Sequence, residues 1–171
     1  MKRIIILFSI LVLISCTSSN YLPLETVDKV DVNKYLGKWY EIASIPNSFQ
    51  KGCQCTSAEY SLIDSETIRV KNRCKKDNEI DDVEGKAFIV EGSNNAKLKV
   101  QFFWPFKGDY WIIELDNDYK YAVVGTPSRK YLWILSREPK LDENIYQMLL
   151  QKIKNKNFDI SKIQKTIHDC N

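Results

Sequence analysis

From residue 38 onward, apolar and polar residues alternate with a period of two in short runs, the pattern of strands that bury one face. The runs predict strands near 38 to 45, 55 to 63, 67 to 74, 83 to 91, 97 to 103, 109 to 115, 120 to 126 and 131 to 136. Turn-forming residues separate most of them: Asp64-Ser65, Asp77-Asn78, Gly92-Ser93-Asn94-Asn95, Pro105 to Gly108, Asp116-Asn117-Asp118 and Thr126-Pro127-Ser128. Eight sequential strands with short links predict an all-β fold, an antiparallel up-and-down barrel whose closure removes the edge strands. An open sandwich is the alternative. After Pro139 the period changes to that of a helix. Asp142 is placed to cap it, and Ile145, Met148, Leu149 and Ile153 form a stripe that would pack on the outside of the barrel. Residues 158 to 166 read as extended along the first strand.

The alternation also assigns faces. Gly37-Lys38-Trp39-Tyr40-Glu41 opens the first strand, and Trp39 reads as an interior plug. With Trp39 inward, the inner set becomes Ala58, Tyr60 and Leu62; Ile68 and Val70; Gly85, Ala87 and Ile89; Leu98, Val100 and Phe102; Tyr110 and Ile112; Trp133 and Leu135. The complementary set carries Glu59, Ser61, Arg69, Lys71, Lys86, Lys97, Lys99 and Gln101. An eight-stranded barrel has room either for a packed interior or for one small ligand. Gly85 and Ala87 are expected to leave space there, and Tyr60, Tyr110 and Trp133 to supply apolar surface with polar tips.

Composition narrows the function. The 171 residues suit one domain, and 27% charged with 44% hydrophobic residues is ordinary for a folded soluble chain. The net charge of +3 falls to +1 without Lys2 and Arg3, and no basic block is interleaved with aromatics, so nucleic acid is a poor partner. A single His, His168, lies near the C-terminus. Neither a multi-His metal site nor a Ser-His-Asp arrangement has a base, so no metal, cofactor or catalytic residue is assigned, and His168 reads as a surface residue.

The N-terminus has a basic start followed by an apolar run from Ile4 to Ile14, too short to span a bilayer and shaped like a secretory signal. Leu13-Ile14-Ser15-Cys16 resembles the lipobox of bacterial lipoproteins, which implies cleavage before Cys16 and lipid on its sulfur. Two or more acyl chains, at about 0.8 kcal/mol per buried methylene, would anchor the chain stably. Thr17 after the Cys resembles the signal for outer-membrane sorting. The expected organisation is a signal peptide at 1–15, a lipidated polar tether at 16–34 and a barrel domain at 35–171. Four further cysteines, Cys53, Cys55, Cys74 and Cys170, would then sit in an oxidising compartment and allow three pairings. Cys53 and Cys55 are too close for an easy bridge to each other, which removes one pairing.

Two distant motifs, Gly37-x-Trp39-Tyr40-Glu41 and Tyr131-Leu132-Trp133-Ile134-Leu135-Ser136-Arg137, with Tyr119-x-Tyr121-Ala122 between them, give the chain a family resemblance. It resembles the lipocalins over residues 32 to 170, most nearly the bacterial outer-membrane lipoprotein group related to apolipoprotein D. The resemblance implies that Arg137 packs over Trp39 to seal the closed end, that Cys55 pairs with Cys170, and that Cys53 is left to pair with Cys74. Glu41 and Glu114 are expected near the same closed end, with Arg137 or tyrosine hydroxyls as partners. The links 46 to 54, 75 to 82, 104 to 108 and 126 to 130 would form the open end, with Trp104-Pro105-Phe106 as rim aromatics at an entrance.

The expected ligand-binding residues are Ala58, Tyr60, Val70, Gly85, Ala87, Val100, Phe102, Tyr110, Ile112, Trp133 and Leu135. The resemblance implies a carrier of fatty acid or lysophospholipid, monomeric or weakly dimeric, attached to the outer membrane through Cys16 and facing the periplasm. An enzyme acting on lipids with the same fold and a structural envelope protein with a filled barrel are the alternatives. Against the enzyme stands the lack of an inner-face His or unpaired inner-face Cys.

Overall fold

The computed structural model describes residues 22–170; the expected signal peptide and the expected lipidation site, Cys16, lie outside them. The polar lead-in is shorter than the sequence suggests. Asp31 caps a short helix α1 (Val32–Tyr35), its carboxylate accepting from the Asn33 and Lys34 amides. Before it, Leu24 and Val30 are buried, the Val27 amide donates to the Ile112 carbonyl, and Asn94 and Asn95 hold the carbonyls of Asp28 and Val30. Residues 24 to 34 are therefore docked on the barrel. A tether can include them in sequence only.

Gly37, at φ +87°, turns the chain from α1 into β1 (Gly37–Ser44). In a backbone region that costs side-chain-bearing residues strain, glycine is the natural occupant. The other strands are β2 (Gln54–Leu62), β3 (Thr67–Lys76), β4 (Glu79–Ile89), β5 (Lys97–Gln101), β6 (Gly108–Leu115), β7 (Tyr121–Gly125) and β8 (Leu132–Ser136). Each pairs antiparallel with its neighbours, and β1 pairs with both β8 and β2, which closes the eight-stranded barrel. The β3–β4 hairpin is longer than the alternation predicts. Its link contracts to Asp77-Asn78, both at positive φ, so most of 75 to 82 is strand, not loop.

Two apolar cores lie on opposite faces of the wall. Inside are Trp39, Tyr60, Ile68, Val70, Ala87, Leu98, Ile112, Val124 and Leu135. Outside, α2 (Glu143–Asn155), capped by Asp142, lays Tyr146, Leu149 and Ile153 against Ile113, Val123, Leu132 and Ile134. The helical stripe is rotated relative to expectation: Tyr146 is buried, and Met148 faces solvent. Phe158 follows the helix and fits over Gly125, where a Cβ would lie 2.7 Å from its ring. The chain then forms β9 (Gln164–Lys165) beside the upper half of β1, with Thr166 donating to the Ile42 carbonyl and the Cys55 amide to that of Ile167. This C-terminal segment fills the seam where β1 and β2 diverge.

Candidate functional site

Along the barrel axis the inner wall changes character. At the closed end Trp39 has no exposed surface and donates from its indole N–H to the Tyr35 carbonyl at 2.8 Å. The Arg137 guanidinium lies 3.8 Å from the Trp39 ring centroid and donates to the carbonyls of Lys34, Lys38 and Tyr119. A planar fork with five donors suits this position, because it can stack on a ring and satisfy carbonyls of three segments at once. Tyr35, Tyr60, Ile68, Val70, Ala87, Leu98, Ile112 and Leu135 are buried around and above the plug.

Towards the open end the inner wall is only half-buried: Ala58, Gly85, Val100, Phe102, Tyr110 and Trp133 all keep surface. Alternation had also left out Asn72, which faces Ala58 and Val83 across the ladder and is half-buried. Its signal was present, since it lies two residues from Val70, but the inner set on this strand stopped at Val70. Gly85 does not open space in this structure. A Cβ there would stand 2.7 Å from the Phe102 ring and 2.5 Å from the Gln101 carbonyl, so Phe102 occupies the room that glycine makes. Ala87 likewise is fully packed.

Three hydroxyls meet inside the barrel. Tyr110 Oη lies 2.8 Å from Tyr35 Oη and 2.9 Å from Tyr60 Oη. Burial pushes all three phenols up, Tyr60 to about 12, because a phenolate there would lose its hydration. They stay protonated donors at any physiological pH. Tyr35 was missed because it precedes the first strand, where period-two reading has nothing to say.

Nearer the mouth, Glu41 is buried, with 6% of its surface exposed, but not where it was expected. A bulge between Glu41 and Ala43 keeps it and Ser44 on the inner face, and its carboxylate accepts from Ser44, Thr166 and the Gln50 amide. Gln50 belongs to the β1–β2 link at the open end, and its carbonyl accepts from the Trp133 indole at 2.9 Å. Arg137 is not a partner. Glu114 is displaced by a second bulge to the outside, where Lys152 of α2 and Lys156 at its C-cap meet it. His168 is half-buried, with Nε2 2.7 Å from the Glu41 carbonyl and its ring edge-on to Tyr40.

At the rim Phe49, Phe103, Trp104 and Phe106 are 80, 70, 86 and 78% exposed, and Ile80 extends from the β3–β4 hairpin. Tyr131 stacks on Trp133 and touches Phe49. Disulfides join Cys53 to Cys74, which ties the β1–β2 link to β3, and Cys55 to Cys170, which fastens the C-terminal seam. Among the described residues no group of His, Cys, Asp and Glu could hold a metal ion. Two surface hollows lie away from the interior: about 360 Å³ at Lys34, Asp118 and Arg137, and about 250 Å³ at Gly52, Lys75 and Asn78.

The lipocalin-like domain model matches residues 30–168. The outer membrane lipoprotein Blc of Vibrio cholerae is 39% identical over 142 residues, covering 81% of this chain and 83% of that protein. Apolipoprotein D of Rattus norvegicus is 39% identical over 145 residues, covering 80% and 76%. Insecticyanin of the tobacco hornworm Manduca sexta superposes with a TM-score of 0.72 at 21% identity, covering 87% and 86% of the two chains, a likeness of fold. With its closed eight-stranded barrel, single flanking helix and these relatives, the chain belongs to the lipocalin family, in the group of Blc and apolipoprotein D.

Proposed function

We propose that the barrel carries a small hydrophobic or amphipathic ligand, a fatty acid or lysophospholipid, and that the protein does so in the bacterial envelope, anchored to the outer membrane through lipid on Cys16. The observation that carries this reading is the contrast along the inner wall. Its closed half is buried, whereas Ala58, Val100, Phe102, Tyr110 and Trp133 form an apolar, half-exposed lining below an aromatic rim. A chain of about ten methylenes, at about 0.8 kcal/mol each before ordering costs, supports micromolar affinity with no reacting group. The lining holds no His, and Cys74, buried at its edge, is taken up in a disulfide, which favours a carrier over an enzyme. The anchored envelope location is supported by the lipobox-like Leu13-Ile14-Ser15-Cys16 and by the likeness to Blc, an outer membrane lipoprotein.

Titration with hexadecanoate or a sixteen-carbon lysophospholipid is expected to quench tryptophan fluorescence, and Trp133→Phe to remove most of the change. Full quenching in Trp133→Phe would place the ligand elsewhere. For the anchor, Cys16→Ser is expected to release the protein from the membrane fraction, and unchanged retention would remove the lipoprotein assignment.

A further inference from the structure

The tyrosine cluster leaves one donor over. Three phenols carry three hydroxyl hydrogens, and the two contacts, Tyr35 to Tyr110 and Tyr60 to Tyr110, use two of them. Among the described residues neither Tyr35, Tyr60 nor Tyr110 has another hydroxyl partner. The positions decide which hydrogen is left. Tyr35 and Tyr60 are buried at 3 and 4% exposure, while Tyr110 is half-buried on the same lining as Val100 and Trp133. The arrangement that satisfies the two buried hydroxyls has both donate to the Tyr110 oxygen, which leaves the Tyr110 O–H without a partner among the described residues. Two donors on one oxygen also polarise that O–H and strengthen the bond it makes.

On the reading that the barrel takes a long-chain ligand, we propose that Tyr110, with Tyr35 and Tyr60 behind it, is a recognition site for an uncharged oxygen on the buried end of that chain, a hydroxyl, carbonyl or ester. A methyl terminus leaves the donor unmatched, and burying a polar group without a partner is costly. A carboxylate needs several donors on leaving water, and one free O–H does not supply them. Arg137 does not compete for the role, since its guanidinium is taken up by three backbone carbonyls on the far side of Trp39. The site thus sets both ligand class and direction: the charged head stays at the mouth, and an oxygenated tail goes down.

The test compares hexadecyl phosphocholine with 16-hydroxyhexadecyl phosphocholine, which differ by one oxygen at the end that enters first. Both are titrated below their micellar concentrations against a displaceable fluorescent probe. In a purely apolar barrel the hydroxyl weakens binding. Here the hydroxylated chain is expected to bind about tenfold tighter than the plain one. The variant carrying Tyr35→Phe, Tyr60→Phe and Tyr110→Phe together keeps the rings and leaves no hydroxyl unpaired. Because it removes the unmatched donor, it is expected to bind the plain chain more tightly than the native protein does and to reverse the preference.

A native preference for the plain chain, or a preference that survives in the triple variant, overturns the proposal while the carrier reading stands. If neither chain displaces the probe, the carrier reading itself fails. Should the triple variant not fold, the native comparison still decides. A near-ultraviolet tyrosine difference spectrum raised by the hydroxylated chain and not by the plain one supports the assignment, and identical spectra count against it.

Discussion

The two halves of the barrel interior solve different problems with the same residue types. In the closed half aromatics are buried and every polar tip is spent: the Trp39 indole on a carbonyl, the Arg137 fork on three more, the Tyr35 and Tyr60 hydroxyls on Tyr110. In the open half aromatics keep surface, and Gln50 bridges Trp133 to Glu41 from a link, not from a strand. Closed-half groups are therefore coupled to folding and open-half groups to access. Substitutions should separate the two, with stability effects falling steeply from floor to rim.

The largest effect is expected at Trp39. Its truncation to alanine removes a fully buried aromatic together with the platform under Arg137 and should cost about 3 to 5 kcal/mol, read from denaturant midpoints. An unchanged midpoint would show that the two halves do not differ as described. Next comes the seam. Removing the Cys55–Cys170 bridge by double substitution to serine frees a loop of sequence separation 115 and should cost about 2 to 4 kcal/mol, more than removing Cys53–Cys74 with its separation of 21. Equal losses would argue that the bridges act through local packing.

The closed half was the more legible in sequence, and for a physical reason. Trp39 lies in a regular strand, where side-chain direction follows from counting in twos, and Arg137 follows the last strand, where the family resemblance and not the count suggested its place over Trp39. The errors cluster where that count is broken. Bulges at Glu41–Ala43 and Ile112–Glu114 displaced both glutamates from their expected surroundings. Gly85 looked like space, but the side chain that fills it, Phe102, lies just past the end of β5, where alternation no longer fixes its depth. The docking of Leu24 and Val30 rests on backbone bonds to the 94–95 turn and to Ile112, which no local pattern announces.

Smaller effects sharpen the comparison. Arg137→Ala should cost about 2 kcal/mol, combining the ring contact with carbonyls left to water, and Arg137→Lys should recover only part of it because an ammonium lacks the planar fork. Full recovery by lysine would reduce the seal to charge alone. The buried phenols predict alkaline sensitivity with a definite sign. A folded pKa raised above the unfolded value near 10 contributes stability that is present below pH 10 and is lost as pH rises towards about 12, the value for Tyr60. At pH 11 Tyr60 alone should account for a loss of about 1 kcal/mol. In a spectrophotometric titration the three phenols should ionise only as the fold opens; smooth ionisation near 10 in the folded protein would place them in water.

The smallest stability effect is expected at the rim, and its smallness is the point. Trp104 is 86% exposed, so Trp104→Ser removes little that folding buries and should shift stability by less than about 0.5 kcal/mol. Its proposed role is kinetic. Exposed aromatics at a barrel mouth lower the cost of moving an acyl chain between a bilayer and the lumen, because the chain meets apolar surface before it leaves lipid entirely. Trp104→Ser should leave the equilibrium affinity for a lysophospholipid unchanged and slow its transfer from vesicles severalfold in a stopped-flow experiment. Should the affinity fall instead, then Trp104 folds over the bound chain as a lid, and the boundary between lining and rim moves outward by one loop.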